Sequence, residues 1–237
     1  MWNGFESKEF TFEDRKAVIV YPEGKPNGRI LLKTEYLEAF PDFDIAMLKR
    51  GYHLIHMYQR NRWAPPAEID RMAEFVRYCA KEVGASERCV IEGMSCGGLQ
   101  AATLAERYPE LAAVLYLDAP VLNIISMAGY GGINQVLEGF WQEIEDAYGV
   151  YPSTMVNFRQ SPIDNMKPLI ENNIPLIIVY GNADPVVIYG ENGRVLENFY
   201  RENGGTVCTI GKSMSEHHPH GLDDPQPIID FVEKYYK

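Results

Sequence analysis

The sequence predicts an α/β fold, a mostly parallel sheet of about eight strands with helices on both faces. Three observations predict it. Short apolar runs rich in Val, Ile and Leu recur along the chain, and stretches of helical spacing lie between them. Strands that alternate with helices pair in parallel, and both faces of such a sheet must be covered. One strand-to-helix junction, Gly93-Met94-Ser95-Cys96-Gly97-Gly98, has glycines where a very sharp turn has no room for a Cβ. At 237 residues the chain is long enough for a large core, and all of it is read as one domain, 1–237.

The elements follow in order. Alternation at residues 9–12 and the apolar run 17–21 predict two opening strands, a hairpin. A turn-rich stretch leads to a third strand at 29–32. Residues 43–50 have a helical pattern that Gly51 closes. A strand at 52–58 and a long helix at 67–83 follow, separated by a loop that contains Trp63-Ala64-Pro65-Pro66. Residues 88–92 read as a buried strand and 99–107 as a helix, and Ser95 stands between them. Another strand, 113–117, ends in Asp118-Ala119-Pro120. Residues 121–173 are too long for an ordinary connection and are expected to form a lid-like excursion with a helix at 136–148. A strand at 175–180, a helix at 194–202, a strand at 206–210 and a helix at 227–236 complete the chain.

Composition excludes several functions. A net charge of −11, with no Lys/Arg cluster, argues against a nucleic-acid partner and against an anionic membrane. The four cysteines, Cys79, Cys89, Cys96 and Cys208, form no CxxC pair, so they read as reduced thiols. No metal-ligand spacing and no Gly-rich phosphate loop is present, so neither a metal nor another cofactor is expected. Met1-Trp2-Asn3-Gly4-Phe5-Glu6 does not read as a signal peptide, and no run has transmembrane length, so the expectation is a cytoplasmic chain without a membrane partner.

Right-handed crossovers put the loops that matter at the carboxyl ends of the strands. The Ser95 junction fits G-x-S-x-G, in which a strained turn exposes a serine hydroxyl above the sheet. A serine hydroxyl is a poor nucleophile near neutral pH and needs a base, which itself needs an orienting acid. Asp184, in Gly181-Asn182-Ala183-Asp184-Pro185, stands just beyond a strand end, with Asp118 as its rival. The base comes from Glu216-His217-His218-Pro219-His220, after the last strand. His217 is the first choice, with His218 and then His220 as alternatives. His53 and His56 fall on a strand and read as packing.

With these residues the chain resembles the α/β-hydrolases over nearly its whole length, in the chain order Ser, Asp, His. The stretch from Ser161-Pro162-Ile163-Asp164 through Pro175-Leu176-Ile177-Ile178-Val179-Tyr180-Gly181-Asn182-Ala183-Asp184 is similar to that of esterases and prolyl-oligopeptidase-like hydrolases. The resemblance implies Ser95 as nucleophile, Asp184 as acid and a histidine after the last strand as base. That family often has Gly before the histidine, whereas this chain has Glu216. An oxyanion hole needs two N–H donors. One is expected from Cys96. The other is expected from the loop Lys33-Thr34-Glu35-Tyr36, where similarity to dienelactone hydrolases points to Tyr36. Those enzymes carry a cysteine nucleophile; here position 95 is Ser and the Cys96 thiol reads as packing. Trp63, Tyr130 and Trp141 are candidates to line a substrate pocket.

The function these residues imply is a serine hydrolase acting on carboxylic esters of a small molecule or a carbohydrate, with a short acyl group such as acetyl. The rivals are a prolyl-oligopeptidase-like peptidase and a non-catalytic binding protein on the same fold.

Overall fold

Neighbouring residues in the central strands point to opposite faces, so two apolar layers form, one on each side of the sheet. Ile19, Leu32, Ile55, Ile91, Leu115 and Ile178 belong to one buried cluster, whereas Val20, Leu31, Leu54, Val90, Val114 and Val179 belong to the other. This is the period of two that a pleated strand imposes. The structure is a computed structural model that describes residues 1–129 and 140–236.

The sheet has eight strands: β1 (Ser7–Phe12), β2 (Arg15–Val20), β3 (Ile30–Lys33), β4 (His53–Met57), β5 (Cys89–Met94), β6 (Ala112–Asp118), β7 (Leu176–Gly181) and β8 (Val207–Lys212). Their spatial order is β1-β2-β4-β3-β5-β6-β7-β8. β1 and β2 form the expected hairpin, β2 pairs antiparallel with β4, and every other pair is parallel. The α/β class is therefore as the sequence predicts. Most strand edges differ from the expected ones by a residue or two. The fourth strand is shorter than 52–58, and β3 runs on through Lys33, whose ammonium finds Asp44 at 2.5 Å and the Ala39 carbonyl at 2.8 Å.

The helices divide between the faces. α1 (Asp42–Lys49) and α8 (Gln226–Tyr235) cover one side, through Met47, Leu48, Ile228 and Val232. α2 (Pro66–Val83), α3 (Cys96–Arg107) and α7 (Gly193–Glu202) cover the other. α2 shows why a segment becomes one of these helices. Pro66 opens it, where a missing N–H costs nothing. Ile69, Met72, Ala73, Val76, Cys79 and Ala80 make one apolar stripe, and Gly84 closes it in the left-handed region at φ +65°.

Between β6 and β7 the described residues hold α4 (Ile124–Met127), α5 (Phe140–Tyr148), α6 (Lys167–Glu171) and two short 3-10 turns, Met155–Asn157 and Pro162–Asp164. The expected helix at 136–148 is α5 over its last nine residues, and its beginning lies outside the described residues. The helix is anchored by Glu143. Its carboxylate accepts from Arg62 at 2.7 and 2.8 Å and from the Trp63 indole at 2.7 Å.

After β3 the chain moves to β4 on one side, and α2 then carries it back to β5 on the other. The crevice between the carboxyl ends of β3 and β5 is thus a topological switch point, where open α/β sheets bind ligands. No helix among the described residues is long and apolar enough to cross a membrane.

Candidate active site

Ser95 stands at the mouth of that crevice, between the end of β5 and the start of α3. Its backbone has φ +51° and ψ −120°, a region costly to any residue with a Cβ. Three hydrogen bonds of 2.9 Å impose it: the Ser95 amide donates to the Asp118 carbonyl, and the Ser95 carbonyl accepts from Gly98 and Val121. The glycines make the turn sterically possible. A Cβ on Gly93 would stand 2.4 Å from the Gly97 carbonyl oxygen, and one on Gly98 would stand 2.4 Å from Cβ of Pro120. A bulkier residue at either place would push the strand and helix apart.

The two partners arrive from the ends of β7 and β8. The His217 Nε2 lies 3.0 Å from the Ser95 Oγ, and its Nδ1 lies 2.7 Å from the Asp184 Oδ2. The other Asp184 oxygen accepts from the amides of Val186 and Val187 at 2.8 and 3.0 Å. Burial alone would raise the Asp184 carboxyl. The hydrogen bonds from His217 and the two amides outweigh it and hold the group below its ordinary value. An ionised Asp184 accepts the Nδ1 proton, which leaves a lone pair on Nε2 facing the Ser95 hydroxyl.

The rivals occupy a separate pair. Asp118 meets His220, with 2.5 Å between Oδ1 and Nδ1. Its second oxygen accepts from the Gly221 amide at 2.8 Å and the Tyr116 hydroxyl at 3.2 Å. His218 is exposed, with its ring stacked on Phe40 at 5.8 Å. His53 and His56 are buried, and burial pushes the His56 imidazole down to about 4.

Cys96 is the first residue of α3, so its amide is among the N–H groups that a helix start leaves without a helical partner. Burial pushes its thiol up to about 11, as suits a packing role. Tyr36 lines the same cleft at φ +56°. The loop that carries it is tied to the serine turn: the Thr34 hydroxyl lies 2.8 Å from the Gly97 carbonyl oxygen and 3.0 Å from that of Glu92. Burial raises the Glu35 carboxyl, against the pull of a Gln100 hydrogen bond and of the Tyr36 amide. Cys96, at the start of α3, and Tyr36, on the loop after β3, thus stand on the same cleft.

The cleft has a volume of about 320 Å³. Its walls include Phe40, Met94, Met127, Phe140 and Val186, with Arg62 adding a charge. Two expectations about this wall need correction. Trp63 does not line it: the ring is completely buried, edge-on to Phe140 at 5.3 Å, and its N–H is taken by Glu143. Trp141 is half-buried against the core and is absent from the wall. Tyr130 lies outside the described residues. Among the described residues the aromatic wall beside Tyr36 is Phe40 and Phe140, which sequence reasoning missed. Neither sits in a recognisable motif, and only the folded positions of the loop after β3 and of α5 bring them together.

A model of the prolyl oligopeptidase family matches residues 61–237. No curated protein sequence matches the chain. Among solved structures, an acylaminoacyl peptidase from Pyrococcus horikoshii superposes with a TM-score of 0.75 at 16% identity, over 98% of this chain and 42% of its own. A puromycin-hydrolyzing peptidase from Mycobacterium tuberculosis gives 0.68 at 13% identity, over 94% of this chain and 36% of its own. A protein from Lactobacillus plantarum with a provisional carboxylesterase assignment gives 0.71 at 12% identity, over 98% of both chains. The chain thus spans less than half the length of these two peptidases. At such identities the likeness is one of fold, and it is the match over residues 61–237 that gives the family: the chain belongs to the prolyl oligopeptidase family, serine hydrolases built on the α/β-hydrolase fold.

Proposed function

We propose that this hydrolase cleaves carboxylic esters through an acyl-enzyme on Ser95. The observation that carries the reading is the unbroken run of hydrogen bonds from Asp184 through His217 to Ser95, at the floor of a small cleft. In the first step the Ser95 Oγ attacks the acyl carbon and its proton passes to the His217 Nε2. Asp184 holds the ring in the required tautomer and stabilises the imidazolium that forms. The oxyanion is met by the Cys96 amide and by that of Tyr36. The imidazolium then protonates the leaving alcohol as the C–O bond breaks. Water, deprotonated by His217, releases the acid and restores Ser95.

The cleft favours a short acyl group. About 320 Å³ is near the lower end of small-molecule sites, and the walls offer mostly apolar surface. Phe40 and Phe140 could stack on a sugar ring, which keeps an acetylated carbohydrate among the candidate substrates. Family membership and the peptidase neighbours favour a second reading, hydrolysis of a peptide bond. The two separate in a comparison of matched substrates that differ only in an ester or amide linkage. The ester reading expects turnover of acetyl and propionyl esters with little or no turnover of the amide. Equal or greater kcat/KM on the amide would replace it with the peptidase reading.

A further inference from the structure

We propose that His217, His218 and His220 form a binding site for a borderline divalent cation, zinc above all, and that its occupation switches the hydrolase off. One ring nitrogen from each of the three lies within 4.8 Å of the others. Ring centroids are 4.8 to 4.9 Å apart in every pair, at 67° to 88°, so the rings meet edge to face rather than stack.

The hydrogen bonds decide which nitrogens are available. His217 donates its Nδ1 proton to Asp184, and His220 donates its Nδ1 proton to Asp118. Each is left with an Nε2 lone pair. A buried carboxylate behind an imidazole is the arrangement by which proteins fix a metal-binding tautomer and raise its basicity. Here it occurs twice, side by side. The second pair, His220 with Asp118, has no part in the proton transfers at Ser95.

Three imidazoles suit zinc, copper or nickel better than calcium or magnesium. Zinc–nitrogen bonds of about 2.0–2.1 Å in a tetrahedron put ligand nitrogens roughly 3.4 Å apart, so the cluster must close by about an ångström. His218 can supply that movement, since its ring is exposed and its ring contacts among the described residues are with Phe40 and its fellow histidines. The fourth position then falls to water or to Ser95. Asp184 and Asp118 lie behind two of the rings and supply counter-charge for the ion, against Arg62 in the same cleft, which is paired with Glu143, and the Lys212 ammonium, which is turned to the carbonyls of Pro219 and Gly221. An ion on the His217 Nε2 takes the lone pair that Ser95 needs for its proton. The cation site rests on this geometry alone; the inhibition rests also on the hydrolase reading.

The test is calorimetric titration with zinc alone, beside fluorophosphonate labelling of Ser95 with and without zinc. The wild type should bind one zinc per chain, and labelling should slow with occupancy and recover on chelation. His218→Ala and His220→Ala should each weaken zinc at least tenfold, whereas Cys208→Ser should leave the affinity unchanged. His218→Ala changes only an exposed ring, so it serves even if loss of His220 disturbs the fold around Asp118. Wild-type protein that takes no zinc, or a His218→Ala variant that binds as tightly as wild type, overturns the proposal. If zinc binds in a histidine-dependent way but the chelated wild type is never labelled, the cation site stands and the hydrolase reading falls.

Discussion

The Thr34 hydroxyl lies 2.8 Å from the Gly97 carbonyl oxygen, so the loop after β3 is fastened to the first turn of α3. The two proposed oxyanion donors, Tyr36 and Cys96, sit on the two sides of this fastening. Thr34→Val keeps the shape and removes the hydroxyl, leaving a buried carbonyl short of a partner. We expect a loss of about 1–2 kcal/mol in urea unfolding and a fall in kcat for esters of roughly tenfold, with KM little changed. Unchanged kcat would mean that this tether does not position the donors.

Gly98 has no room for a Cβ, because Pro120 would meet it at 2.4 Å. Gly98→Ala should destabilise the fold by about 1–3 kcal/mol through overpacking and should slow fluorophosphonate labelling, since the serine turn must shift. A variant with wild-type stability and labelling rate would show that α3 can slide without cost.

Lys33, Asp44 and Glu92 are all buried beneath the serine turn. Lys33 is 2.5 Å from Asp44 but 3.7 Å from Glu92, whose oxygens find no hydrogen-bond partner among the described residues. Burial, with the Asp44 charge adding to it, pushes the Glu92 carboxyl well above the ordinary range, so it is neutral beside a Lys33–Asp44 pair. Glu92→Gln should therefore change stability by less than about 1 kcal/mol, whereas Lys33→Met, which strands the Asp44 charge, should cost about 3–5 kcal/mol. Chemical denaturation of both variants at pH 7 checks this, and the reverse ranking would refute the assignment of charge.

Asp184 gives a pH dependence with a definite sign. Its carboxyl is held below its ordinary 3.8, so its contribution to stability is complete above that value and disappears as pH falls through the lower folded value. The stability difference between wild type and Asp184→Asn should shrink as pH falls below about 4. At pH 7 the variant should lose ester turnover by a factor of about 10³–10⁴, because Asn no longer fixes the His217 tautomer. A stability difference that grows on acidification would contradict the pairing.

Much of the fold was legible because strand and helix periods are local signals, and the G-x-S-x-G turn states its steric need in the glycines themselves. The position of Asp184 just beyond a strand end was legible for the same reason, since the turn after β7 places it. The pairing of Asp118 with His220 was not: each could be considered alone, as a rival acid or a rival base, but 102 positions separate them and only the finished sheet brings them together. Trp63 misled because a tryptophan in a proline-rich loop looks available, and nothing local announces that Glu143, 80 positions away, will take its N–H. Lys33 looked like a loop residue because the counter-charge that lets it be buried comes from Asp44 on α1.

The most direct measurement is intact-mass labelling with a fluorophosphonate on wild type and on Ser95→Ala, both first shown to be folded. An activated serine predicts one adduct on wild type, none on Ser95→Ala, and ester turnover that disappears with the adduct. Labelling of Ser95→Ala, or no labelling of a folded, chelated wild type, would contradict the account, the first by placing the nucleophile elsewhere and the second by pointing to a binding protein on a hydrolase fold.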